Sequence, residues 1–197
     1  MQGLITDLLA FAKLRKEGDL EYSPINLKDL LLSVQADLKK QIDSSGVTIE
    51  NTGLPELPVI PVKMNQLFQN LISNAIKFRK KEEALIIQIG AIEKTTHWEF
   101  FVKDNGIGIE KEFQQKIFEP FKKLHHSSVY SGSGIGLATC MQIVKLHQGR
   151  MWAASTFGEG STFFFTIKKD LSTTHHNHTN TNTKVANTSI LAQAISN

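Results

Sequence analysis

Two consecutive stretches, residues 85–93 and 97–103, alternate apolar and polar side chains and are separated only by Lys94-Thr95-Thr96. Period-two alternation places Ile87 and Ile89 on one face of the first, and Trp98, Phe100 and Val102 on one face of the second. A strand pair with an apolar face must lay it against another layer. The chain supplies that layer as helices. Residues 63–79 carry Leu67, Phe68, Leu71, Ile72, Ala75 and Ile76 at helical spacing, and residues 27–42 carry Leu30, Leu31, Val34, Leu38 and Ile42 behind Asn26, which is placed to cap them. Further helices are expected near 110–118 and 134–147, and further strands at 46–50, 150–155 and 162–168. Ser23-Pro24 reads as a turn, and Pro55, Pro58 and Pro61 as a punctuated connection. The fold class that follows is an α/β two-layer sandwich (α+β), a mixed, mainly antiparallel sheet with helices on one face. It is not a Walker-loop βαβ unit, because no G-x-x-x-x-G-K-[ST] occurs.

Composition narrows what such a domain does. A hydrophobic fraction of 41% in 197 residues suffices for one core plus short extras. The net charge of +3 leaves no basic block long enough for a nucleic-acid footprint, so no nucleic-acid partner is expected. The densest basic run, Lys77-Phe78-Arg79-Lys80-Lys81, ends an apolar helix; it reads as a solvated helix end, with a polyanion site at Arg79, Lys80 and Lys81 as the alternative. A single cysteine, Cys140, excludes an internal disulfide and, within an apolar helical stretch, reads as a small buried hydrophobe. No apolar segment approaches the roughly 20 residues needed to cross a bilayer, and Asp7 breaks the only apolar run near Met1. A cytoplasmic chain without membrane contact is expected, from a parent that is itself soluble or membrane-bound. Residues 1–16 form an apolar helical stripe (Leu4, Ile5, Leu8, Leu9, Phe11) too short to stand without a partner. Residues 171–197, rich in Thr, Asn, Ser and His, read as a disordered tail in which His175, His176 and His178 are solvated or capture metal.

Four motifs carry chemistry. On the helix of residues 63–79, Gln66, Asn70, Asn74 and Lys77 make a second stripe distinct from the apolar one. Amides ending in a lysine are uncommon on a plain solvent face; an amide oxygen suits Mg²⁺, and a lysine suits phosphate. Taken alone, the stripe reads as a polar exposed face. Asp104-Asn105-Gly106-Ile107-Gly108-Ile109 follows a strand: its glycines let backbone approach a flat ligand and its carboxylate can accept from an exocyclic amine, or it is an Asn-Gly turn. Ser131-Gly132-Ser133-Gly134-Ile135-Gly136-Leu137-Ala138 opens a helix whose free N–H groups favour an anion, or whose glycines serve packing. Between them lies Phe118-Glu119-Pro120-Phe121-Lys122-Lys123-Leu124 and a polar loop carrying His125 and His126. Either the loop closes over a ligand, with Lys122 or Lys123 reaching phosphate charge, or it is an ordinary surface loop.

The order decides among these alternatives. An Asn-rich helix, D-x-G-x-G, F-E-P-F and G-x-G-x-G-L-A in succession resembles the histidine-kinase ATPase domain (HATPase, GHKL superfamily) with the Bergerat ATP-binding fold. Asn70 to Phe78 resembles its N box, Asp104 to Gly108 its G1 box, Phe118 to Phe121 its F box and Gly132 to Gly136 its G2 box. The likeness continues through Gly149-Arg150-Met151-Trp152 and Gly158-Glu159-Gly160-Ser161-Thr162-Phe163, spanning about residues 46–168.

The resemblance implies ATP and Mg²⁺ as ligands. Asn74 would hold the metal with Asn70 close by, Lys77 would contact phosphate, and Phe78 would adjoin the nucleotide. Asp104 would take the adenine amine, with Gly106 and Gly108 lining the base pocket. Gly132, Gly134, Gly136 and Leu137 would shape the phosphate end of a lid, Thr162 would lie near the base, and Lys123 would stand where relatives carry a lid arginine. Hydrolytic members of the superfamily carry a glutamate where this chain has Asn70, which cannot take a proton from water; transfer to a delivered nucleophile is favoured. None of the seven histidines has the H-E-L-R-x-P setting of a phosphoacceptor. The expected organisation is a partial dimerisation helix (1–18) without the acceptor helix, a connecting amphipathic helix that is part of the ATPase domain (19–45), the catalytic domain (46–170) and the tail (171–197). The implied function is the catalytic module of a two-component sensor kinase. Its partners would be a phosphoacceptor histidine domain in cis or trans and a response regulator receiver domain, with homodimerisation in the intact kinase. Two other readings remain: a nucleotide-binding regulator of an intact kinase, and an ATPase or serine kinase of the same fold.

Overall fold

The structure is a computed structural model that describes residues 21–122 and 133–171. Its elements are β1 (Ser23–Asn26), α1 (Leu27–Asp37), α2 (Lys39–Ser45), β2 (Thr48–Thr52), β3 (Glu56–Val59), α3 (Pro61–Lys77), β4 (Ile86–Glu93), β5 (His97–Asp104), two 3₁₀ turns (Lys111–Phe113 and Lys116–Phe118), α4 (Gly136–Leu146), β6 (Met151–Thr156) and β7 (Gly160–Lys168). The regions 1–18, 123–132 and 172–197, including Lys123, Gly132 and almost all of the expected tail, lie outside the described residues. No described helix is long and apolar enough to cross a membrane.

Five strands form an open sheet in the order β2-β4-β5-β7-β6, antiparallel at every step except β2 with β4. The mixed, mainly antiparallel two-layer fold expected from the sequence is the one observed. Ile87 and Ile89 of β4, Phe100 and Val102 of β5, and Phe163, Phe165 and Ile167 of β7 form the covered face. Phe165 stacks on Phe100 with ring centroids 4.9 Å apart and meets Phe68 of α3 edge-on at 6.1 Å. Met64, Leu67, Leu71 and Ile72 of α3 and Leu27, Leu31 and Val34 of α1 complete the core. On the other face Trp152 stacks on Phe164 at 5.3 Å.

Local departures from the sequence reading have physical causes. Ser23-Pro24 is no turn: β1 pairs antiparallel with β3, Pro24 opposite Pro58, in a two-stranded ribbon. Prolines are tolerated in so short and marginal a ladder, and burial of Leu57 and Val59 outweighs their punctuation. The helix expected over 27–42 is two helices meeting at Leu38. Leu38 is the last buried position of its apolar stripe; beyond it only half-buried Ile42 reaches the core, and α2 has no buried residue to hold a common axis. Helix α1 is capped as expected, Asn26 Oδ1 accepting from the N–H groups of Lys28 (3.0 Å) and Asp29 (3.4 Å). Helix α3 begins two residues early because Pro61 fits the first helical position. The stretch 110–118 forms only two 3₁₀ turns; it buries Ile117 and Phe118 and has no continuous stripe.

Cys140 is fully buried, and burial pushes its thiol up to about 12, as befits a packing residue. His147, read from sequence only as a helix end, is also fully buried. Its Nδ1 donates to Ile143 O at 2.7 Å, so Nε2 is free to accept, and it does so from Ile60 N–H at 3.0 Å. The imidazole thereby ties the end of α4 to the start of α3. The Tyr22 ring meets it edge-on at 5.7 Å, and the Tyr22 hydroxyl donates to Leu146 O at 2.6 Å.

Burial lowers the pKa of His147, partly opposed by its bond to Ile143 O. Below about pH 6.5 the unfolded chain takes up a proton that the folded chain refuses. His147 therefore contributes full stability above that pH and progressively less as the pH falls through its folded value. Chemical denaturation between pH 7.5 and 5 is expected to show this decline, and His147→Gln to flatten it.

Candidate nucleotide-binding site

Helix α3 has two faces. Met64, Leu67, Phe68, Leu71, Ile72, Ala75 and Ile76 are buried, which turns Gln66, Asn70, Asn74 and Lys77 to a half-exposed face. Asn70 is held against α4: its Nδ2 donates to Gly136 O at 3.4 Å, and its side chain also meets the Cys140 thiol. The Asn74 side-chain amide has no hydrogen-bond partner among the described residues. Lys77 Nζ lies 4.6 Å from the centroid of the Phe78 ring.

The end of α3 is joined to the loop after β5. Phe78 O accepts from Ile107 N–H at 3.0 Å, and a Cβ at Gly106 would stand 2.6 Å from that same oxygen. Asp104, 7% exposed, ends β5. Burial raises its pKa, and the backbone N–H groups of Gly106 (2.9 Å to Oδ1) and Ser161 oppose the rise by donating to the carboxylate. Gly108 has φ 69°, and a Cβ there would lie 2.0 Å from Thr156 O, so the loop rests directly on the β6–β7 turn. Gly158 N–H donates to Ile107 O at 2.8 Å.

The segments flanking the undescribed residues 123–132 meet as well. Phe121 N–H donates to Gly134 O at 3.0 Å, and Gly134 adopts φ 77° against Lys122 O. Gly136 differs from Gly106, Gly108 and Gly134: a Cβ would meet Asn70 Oδ1 at an ordinary 3.6 Å. Ile135 at the N-cap of α4 offers no side-chain cap, so among the described residues the first N–H groups of the helix lie uncapped beside Asn70. Leu137 is half-buried and packs on the core. Thus Asn70, Gly134, Gly136 and Leu137 gather at one end, Asp104, Gly106 and Gly108 at the other, with Asn74, Lys77 and Phe78 along α3 between them.

Thr162 is not in that group. It pairs with exposed Lys103 on the uncovered face of the sheet, whereas Ser161 pairs with Asp104 on the covered face. Ser161, which sequence reasoning passed over, is therefore the β7 side chain beside the carboxylate. Counting alternation from buried Phe163 and Phe165 would have found it. Ser155 and Gln114 were also missed; their polar atoms brace the same loop.

Residues 60–171 match the family described as histidine kinase-, DNA gyrase B-, and HSP90-like ATPase. The chain belongs to this family. It is 42% identical over 167 residues to cyanobacterial phytochrome A of Nostoc sp., covering 85% of this chain but 22% of that protein's length. Among solved structures it is similar to full-length ShkA in complex with AMPPNP, with TM-score 0.71 and 25% identity, covering 84% of this chain and 35% of that one. It is likewise similar to the catalytic domain of histidine kinase ThkA, with TM-score 0.63 and 25% identity, covering 76% of this chain and 96% of that one.

The glycine geometry separates two classes of substitution. Gly108→Ala meets both an unfavourable φ and the Thr156 carbonyl, and is expected to cost at least about 1–3 kcal/mol in denaturation. Gly136→Ala, at the start of α4, would bring its Cβ only into ordinary van der Waals contact with Asn70, and is expected to leave stability unchanged or raise it by up to about 1 kcal/mol.

Proposed function

We propose that this chain is the ATP-binding catalytic part of a sensor histidine kinase, transferring the γ-phosphoryl group of ATP to a histidine on another segment or chain. The observation that carries the reading is the joining of three elements by hydrogen bonds. The α3 amide stripe touches the start of α4 through Asn70 and Gly136, and the Asp104 loop is bonded to the end of α3 through Phe78 and Ile107. A nucleotide lying along α3 would meet all three.

In this reading Asp104 accepts from the exocyclic amine of adenine. Gly106 and Gly108 keep side chains out of the path of the flat ring. Lys77 meets phosphate oxygens as a point charge, and the uncapped N-terminus of α4 offers N–H groups to the same anion. The amide oxygen of Asn74, with Asn70 close by, is a hard, neutral donor that would hold Mg²⁺; when bound, the ion would neutralise phosphate charge. Lys123, Gly132 and Gly134 would belong to a lid over the phosphates. In the transfer the bond from γ-phosphorus to the bridging oxygen breaks, ADP leaves with its electron pair, and a P–N bond forms at the acceptor imidazole. The protein's share is positioning and charge. Position 70 holds an amide rather than an acid, so no side chain there can activate water, which favours a kinase over a hydrolase.

The similarity to ShkA, solved with an adenosine triphosphate analogue, and to ThkA supports the reading. A phosphoacceptor histidine domain, a response regulator receiver domain and a homodimeric, cytoplasmic parent belong to the same proposal.

Calorimetry with Mg-AMPPNP is expected to show binding to the wild-type chain. Asn74→Asp and Asp104→Ala are expected to weaken it at least about tenfold without loss of fold. Adding an acceptor-histidine domain in trans with labelled ATP is expected to give phosphohistidine. Unchanged affinity in both variants would refute the site, and binding without transfer would refute the kinase assignment.

A further inference from the structure

We propose that Ser155 is a specificity-determining residue for the base, acting through the hydroxyl of Ser161. The inference rests on the nucleotide-binding reading above and concerns how adenine is told from guanine.

Ser155 Oγ has one hydrogen and two lone pairs, and three groups meet it. It donates to Gly160 O at 2.7 Å, it accepts from Ile109 N–H at 2.8 Å, and it lies 2.9 Å from Ser161 Oγ. With its only hydrogen engaged by a carbonyl, Ser155 must accept in the last contact, so Ser161 donates. The Ser161 hydrogen is thereby drawn toward β6, leaving only lone pairs for any other partner. Ser161 pairs with Asp104 across the ladder, on the same face. The β5–β7 wall of the site is then acceptor-only, built from a carboxylate and a hydroxyl oxygen whose hydrogen is turned away. Such a wall takes the exocyclic amine of adenine and repels the carbonyl oxygen that guanine carries at the equivalent position.

The same serine moors the loop that frames the base. Gln114 braces the arrangement: its Nε2 donates to Ile109 O at 3.2 Å and to Ser155 O at 2.7 Å. Ile109 is thus held through both its N–H and its carbonyl, one by Ser155 and the other by Gln114. The phosphate end depends on neither residue, since Asn70 and Gly136 hold each other independently. Losing the Ser155 hydroxyl should therefore spare phosphate binding, while the base preference follows the Ser161 hydroxyl alone.

The test compares Mg-ATP and Mg-GTP affinities by calorimetry, with denaturation midpoints as a fold control, for wild type, Ser155→Ala, Ser155→Thr, Ser161→Ala and the Ser155→Ala/Ser161→Ala double variant. Wild type is expected to prefer ATP. Ser155→Ala frees the Ser161 hydroxyl to donate and is expected to shrink the ATP-to-GTP preference about tenfold, whereas Ser155→Thr retains it. In the Ser161→Ala background, Ser155→Ala is expected to change the preference no further. The proposal is overturned if Ser155→Ala keeps the wild-type preference, if both nucleotides weaken equally, if Ser155→Thr loses as much as Ser155→Ala, or if the effect persists without Ser161. A folded wild type that binds neither nucleotide would overturn the nucleotide-binding reading and this proposal with it. Wild-type binding with an unmoved preference in Ser155→Ala overturns this proposal alone.

Discussion

Phe165 lies stacked on Phe100 within the sheet while its edge faces Phe68 from the helix above, and through this three-ring contact the two layers are joined. All three rings are completely buried, each contributing roughly 2–3 kcal/mol by removal from water. Because Phe68 belongs to α3, the contact also sets that helix's rotation. With Leu67, Phe68, Leu71 and Ile72 directed at the sheet, a turn of about 100° per residue leaves Asn70, Asn74 and Lys77 on another side. The polar stripe is the geometric remainder of the core. A helix packed in any other rotation would bury its amides or expose its leucines, and both are costly.

The loop after β5 poses the opposite problem, since it brings a carboxylate into the protein. Burial disfavours the charged form of Asp104, and backbone N–H groups from Gly106 and Ser161 partly offset this. The glycines follow from the same requirement. Gly106 closes against Phe78 O and Gly108 against Thr156 O, so the backbone wraps the acid closely enough to donate to it. A side chain at Gly106 would force the loop off Phe78 O, and one at Gly108 off Thr156 O. The polarity of the site is thus maintained by main chain, and Ser155 and Gln114 hold that main chain in place.

A second linkage lies far from this loop in sequence. His147 Nε2 receives the N–H of Ile60, the residue before α3, while the Tyr22 hydroxyl donates to the carbonyl of Leu146, the last residue of α4. Helices α3 and α4 both carry candidate site residues, and their relative position depends on a buried neutral imidazole and on the first described residues of the chain.

Sequence alone determined the layers, because alternation in 85–103 and the apolar stripe of α3 are local periodicities that survive without tertiary knowledge. The order of the glycine and asparagine motifs likewise determined the family, and with it Asp104, Asn70 and Asn74 as candidates. Tertiary structure decided what depends on pairing between distant segments. Prolines in β1 and β3 read as punctuation until Leu57 and Val59 find a core to enter. The split at Leu38 depends on where the core ends. Ser161 in place of Thr162 depends on which face of β7 the register with β5 turns inward, and one residue of slip would exchange them. His147, Ser155 and Gln114 carry no local signal, since each acts on backbone groups remote in the chain, and only folding brings those groups within hydrogen-bond reach.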